Sequence, residues 1–264
     1  MATGRVVWTG LGRAVHVAAL TLGVMWPAMA GAQSAIEFVP GTRFHIDAQH
    51  LSNDDVRYDW DANFFGEIDV IGWKGGRATV TGDYEVVMGN QLRRFDPNQG
   101  NYLLEGTVTQ RIAGIEVGGQ FHHISRHLSD RIKFAAVDWN QLGLRIGKQV
   151  VRGKLDLMTR ADFRTTVANS LVDYDREVEA DLKVRYAVRP RVLVMSNTRL
   201  RMVDTDDTRN RGILTGIRTE GGVHLRGSGG ALELFLAAER RIDPYPTQFA
   251  YATFVAAGFR VVSR

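Results

Sequence analysis

The segment Val56-Arg57-Tyr58-Asp59-Trp60-Asp61-Ala62-Asn63-Phe64-Phe65-Gly66-Glu67-Ile68-Asp69-Val70 alternates with period two along its whole length. Val56, Tyr58, Trp60, Ala62, Phe64, Ile68 and Val70 fall on one side. Arg57, Asp59, Asp61, Asn63, Glu67 and Asp69 fall on the other, where only Phe65 is apolar. Successive side chains point to opposite faces only in an extended strand, so the pattern predicts one strand with an apolar and a charged face. Val178, Ala180, Leu182, Val184, Tyr186 and Val188 repeat it against Glu177, Glu179, Asp181, Lys183 and Arg185. Both runs exceed the five or six residues usual for a globular strand.

Working outward between turn signals predicts twelve strands, near 42–51, 56–73, 78–89, 101–112, 115–125, 138–149, 154–164, 176–188, 191–204, 212–226, 231–241 and 248–262. Their connections alternate. Lys74-Gly75-Gly76-Arg77, Ala113-Gly114, Arg189-Pro190 and Gly227-Ser228-Gly229-Gly230 are tight, whereas 90–100, 126–137, 165–175 and 205–211 are longer and polar. An even strand count with short turns at one end and longer loops at the other describes an all-β, closed antiparallel transmembrane barrel of the outer membrane. Closure follows from lipid, which cannot satisfy the unpaired backbone groups of a sheet edge. The charged face is then the lumen, and the aromatic and aliphatic side chains of the other face meet lipid. A soluble periplasmic barrel or lipocalin-like carrier allows the same alternation turned inside out, but strand number and length favour the membrane form.

The chain has 264 residues, no cysteine and a net charge of +4. Without cysteine there is no disulfide framework, thiol nucleophile or cysteine-held metal. Basic residues are interspersed with acidic ones, which disfavours a nucleic-acid face. Arg5 and Arg13 precede an apolar run from Ala14 to Trp26; Pro27 follows, then Ala30-Gly31-Ala32. This order predicts a secretory signal peptide over 1–32 and one barrel domain over 33–264. The apolar run is too short to span a bilayer as a helix.

One segment carries chemistry. Parity along the fifth and sixth strands puts His123, Ser125 and Asn140 together on the apolar, lipid-facing side, beside the loop 126–137. Polar groups on such a face invite a functional reading. Residues i and i+2 of a strand point the same way, which sets the imidazole of His123 near the hydroxyl of Ser125. A serine needs an adjacent base, and that base needs a third group to hold its tautomer. A cross-strand asparagine such as Asn140 can orient the imidazole. The duller alternative makes His123 and Ser125 rim residues at headgroup level, His122 a polar filler of the lumen, and His127 and Asp130 solvated loop residues. No G-x-S-x-G, H-E-x-x-H or phosphate-binding glycine loop occurs.

His123-x-Ser125, followed after the loop by Trp139-Asn140, resembles the pattern of the outer-membrane phospholipase A family. The resemblance implies a twelve-stranded barrel with a His-Ser-Asn triad on its outer wall, acting as a calcium-dependent homodimer on membrane lipids. His123 would be the base, Ser125 the nucleophile and Asn140 the orienter. That family follows its serine with Asn-Gly; this chain has Arg126-His127. The stretch His123 to Asp130 is similar also to an H-x-S-S-H-L-G-D segment of outer-membrane barrel proteins, which implies no particular activity. The alternative function is a non-enzymatic barrel, either a small pore or a structural, partner-binding protein.

Overall fold

The computed structural model describes residues 36–129, 131–132 and 136–263. The expected signal peptide over 1–32 and Asp130 lie outside them. Twelve strands run in order: β1 Glu37–Ser52, β2 Trp60–Trp73, β3 Gly76–Gly89, β4 Asp96–Ile112, β5 Ile115–Leu128, β6 Val137–Arg152, β7 Leu155–Ser170, β8 Tyr174–Arg189, β9 Val192–Thr205, β10 Ile213–Arg226, β11 Gly230–Ile242 and β12 Tyr251–Ser263. Each pairs antiparallel with its sequence neighbours, and β1 pairs with β12 to close the barrel. Closure leaves no lipid-exposed edge.

Parity sorts the faces as the alternation requires. Along β11, Leu232, Leu234 and Leu236 are exposed while Glu233, Phe235 and Ala237 are buried inside. Phe64, Ile68, Leu142, Leu144 and Phe163 likewise face outward. Tight turns join β2–β3, β4–β5, β6–β7, β8–β9 and β10–β11 at one end of the barrel. In the β4–β5 turn both Ala113 and Gly114 have positive φ, 51° and 80°. That combination gives a two-residue hairpin a twist matching its strands.

Ion pairs cross the interior between strands, while the inward Arg199 keeps half of its side chain exposed. Arg241 on β11 reaches Asp61 on β2 and Glu85 on β3, with nitrogen–oxygen distances of 2.8 and 3.0 Å. Arg260 on β12 ties Glu220 on β10 to Glu233 on β11. Arg145 grips the fully buried Asp162 through two bonds of 2.7 and 2.9 Å. Buried charges are tolerable only when paired in this way. An apolar cluster of Leu51, Tyr58, Val87, Met195, Phe235 and Phe254 also packs inside.

Three features differ from expectation. Several strands extend farther at the loop end: β4 begins at Asp96, β5 runs to Leu128 and β7 to Ser170. Beyond the bilayer both faces of a strand are polar, so the alternation disappears while the ladder continues. Second, β2 begins at Trp60, and the preceding Tyr58 is not outward: it is buried against Phe254, with ring centroids 5.1 Å apart. Asp59 is not in the lumen but meets the exposed His50 and Asn90 at the rim. Third, residues 243–250 fold inward across the mouth. Arg126 on β5 donates to the carbonyl oxygens of Asp243 and Pro244 at 2.6 and 2.9 Å. These carbonyls follow β11, six strands away around the ring. Arg211 and Tyr174 hold the Asp243 carboxylate as well.

Candidate functional site on the outer wall

The two strands that carry the expected site are paired along their length. His123 lies directly opposite Asn140, and Ser125 opposite Asp138. Direct partners of an antiparallel pair share a face, and the neighbours on that face, Phe121 and Leu142, are exposed to the lipid side. His122, one residue away, points inward, buried, and bonds Glu105 at 3.0 Å. The half-buried His123, Ser125 and Asn140 thus stand on the outer wall, at the loop end of β5 and β6.

Two hydrogen bonds organise them. His123 Nδ1 lies 2.9 Å from Asn140 Oδ1. An amide oxygen only accepts, so Nδ1 donates, and in the neutral ring this leaves Nε2 as the accepting nitrogen. Ser125 Oγ lies 2.7 Å from Nε2 of His127, two residues farther along the same face. The structure therefore brings the base and orienter of the expected trio into contact. The serine stands beside them on the same face, with its hydroxyl turned to the other neighbouring imidazole.

His127 is the residue that sequence reasoning missed, because it ended the fifth strand at Ser125. The signal was present: His123-x-Ser125-x-His127 continues the period of two. Its partner across β4 is Gly100. A Cβ at Gly100 would come within 2.9 Å of the Tyr84 hydroxyl, so glycine leaves that ring room to lie over the strand. Tyr102 meets the His127 ring edge-on at 5.4 Å, and Tyr84 stacks on Tyr102 at 4.6 Å. Aromatic residues of this kind mark the interface level of a membrane barrel. On the other side, the β6–β7 register shifts at Asn140 and Gln141, leaving Val167 of β7 as a bulge. Bulges re-aim neighbouring side chains and gather near sites.

Calcium asks for six to eight oxygen ligands, carboxylates among them. Among the described residues no three or more histidine or acidic side chains are grouped to hold a metal ion. Asp138 is the one carboxylate directly opposite Ser125. The described residues do not form a calcium cage, and no chemical step below uses one.

No protein-family model matches the chain, and no curated protein matches its sequence. Solved structures do resemble it in fold. Outer membrane phospholipase A from Escherichia coli superposes with a TM-score of 0.53 at 13% identity, covering 83% of this chain and 92% of its own. The Salmonella typhi outer membrane phospholipase dimer with bound calcium gives 0.52 at 12% identity, covering 83% and 90%. A KdgM porin gives 0.46 at 6% identity, covering 83% and 98%. At these identities the likeness is one of fold: the chain is a twelve-stranded outer-membrane barrel.

Proposed function

We propose that this barrel hydrolyses acyl esters of membrane lipids at its outer wall, with Ser125 as nucleophile. The observation that carries the reading is the His123–Asn140 hydrogen bond, two residues from a serine on a face that otherwise meets lipid. A hydroxyl, an imidazole in the accepting tautomer and an amide that fixes that tautomer are the parts of an acyl-transfer site. Their position suits the substrate: a lipid diffusing along the wall presents its ester near headgroup level, beside the aromatic row. Ion pairs that bridge the lumen and the segment 243–250 across its mouth favour this reading over a wide pore.

In the reaction, the Ser125 proton passes to a flanking imidazole as Oγ bonds the acyl carbon. The ester C–O bond then breaks and the leaving alcohol takes the proton. Water, deprotonated by a flanking imidazole, then attacks the acyl-serine; as the acyl–Oγ bond breaks, Ser125 Oγ takes that proton back and the fatty acid leaves. His123, held by Asn140, is oriented to accept through Nε2. The test is fatty-acid release from phospholipid by the purified barrel in detergent. Ser125→Ala should abolish it while leaving the heat-dependent gel shift of the folded barrel intact, and an active Ser125→Ala protein would reject the nucleophile. Calcium dependence and self-association, which the resemblance implies, are read in the same assay by adding a chelator and by crosslinking.

A further inference from the structure

We infer that His127 is a catalytic base for Ser125, engaged with the hydroxyl in the free protein, so that the serine has an imidazole on each side. The inference rests on the hydrolase reading above. The 2.7 Å contact from Ser125 Oγ to His127 Nε2 is the nucleophile–base distance that activation requires. Nothing in parity favours His123 over His127, since the two residues flank Ser125 on one face. The difference lies in what holds each ring. Asn140 fixes His123 through Nδ1. His127 is held by packing instead, with Tyr102 at its edge and glycine as its cross-strand partner.

The arrangement divides the work by serine rotamer. With Oγ turned toward His127, the hydroxyl proton passes to Nε2 of His127 as Oγ forms its bond to the acyl carbon. The departing alcohol recovers that proton when the ester bond breaks. Rotation about the Cα–Cβ bond of Ser125 would turn the same hydroxyl to the Asn140-held ring. In the acyl-serine, with Oγ on that side, His123 takes a proton from the attacking water and returns it to Ser125 Oγ as the acyl–Oγ bond breaks.

The experiment is covalent labelling of Ser125 by a long-chain alkyl sulfonyl fluoride, followed by mass spectrometry of the intact folded barrel. The reagent joins sulfur to Oγ, releases fluoride and delivers the hydroxyl proton to the base, so its rate reads activation without a lipid substrate. His127→Gln should slow labelling at least tenfold, and His127→Ala should regain part of the rate with added imidazole. A purely structural role would not give that rescue. The gel shift confirms folding of each variant. If the unaltered protein labels at Ser125 and His127→Gln labels equally fast, His127 is not the base and the hydrolase reading stands. If the unaltered protein does not label at all, both fall together.

Discussion

Arg126→Met should loosen the segment 243–250 at the barrel mouth, which Arg211 and Tyr174 still hold through Asp243, without opening the pore. Arg126 supplies two charge-assisted hydrogen bonds, at 2.6 and 2.9 Å, to the carbonyls of Asp243 and Pro244. Such bonds contribute about 1.5–3 kcal/mol each. The stranded carbonyls sit at the mouth and can rehydrate, so the lower figure applies. The closed arrangement then loses about 3 kcal/mol, and at 1.4 kcal/mol per decade its open population rises on the order of 10²-fold. Chymotrypsin cleavage after Phe249 reads that population, because proteolysis tracks the open fraction when opening is fast. Phe249 is otherwise clasped by the guanidinium groups of Arg209 and Arg211, 3.8 and 4.9 Å from its ring centre. Cleavage after the exposed Phe95, in the separate β3–β4 loop, is the internal reference. A ratio of the two cleavages unchanged within about threefold would refute the latch. Conductance in planar bilayers should stay low in the variant, since Arg241 still bridges β11 to β2 and β3 below. A large open conductance would show instead that the segment alone closes the lumen.

Burial pushes the Tyr58 phenol up to about 12, and its hydroxyl has no hydrogen-bond partner among the described residues. The folded state thus favours the neutral ring: that stabilisation is complete below the unfolded value of about 10 and is lost as pH rises toward 12. Tyr58→Phe cannot ionise and should resist alkaline unfolding between those values better than the parent, and equal midpoints would contradict the assignment. Asp162→Ala leaves Arg145 and Arg164 facing each other without their shared carboxylate, at contacts now of 2.7 to 2.9 Å. Breaking a buried pair on one side costs about 3–5 kcal/mol, which should lower the urea midpoint of the barrel in micelles. An unshifted midpoint would mean the lumen pairs contribute nothing to stability. Mass spectrometry of the envelope protein should find its N-terminus near Gln33, and a chain beginning before Ala14 would rule out the signal peptide.

Period-two alternation is a local consequence of the pleat, and it carried most of the architecture. With the turn signals it gave the number of strands and the shared side of His123, Ser125 and Asn140; strand number and length then assigned the charged face to the lumen and Leu142 and Leu144 to lipid. Membrane chemistry then required closure, which the β1–β12 pairing realises. What the alternation could not carry was anything depending on distant partners. Strand ends at the loop side carry polar residues on both faces, so the apolar contrast weakens there; His127 keeps the period of two but is polar, and β5 continues past Ser125 to Leu128. Tyr58 reads as lipid-facing by parity but precedes β2, and the ring of strands gives it Phe254 to pack against. Arg126 meets Asp243 and Pro244 from across the barrel, a contact 117 and 118 residues apart in sequence. The direction of the Ser125 hydroxyl belongs to the same class. His123 and His127 are equal by parity, and only the packing of Tyr102, Gly100 and Asn140 around them distinguishes one imidazole from the other.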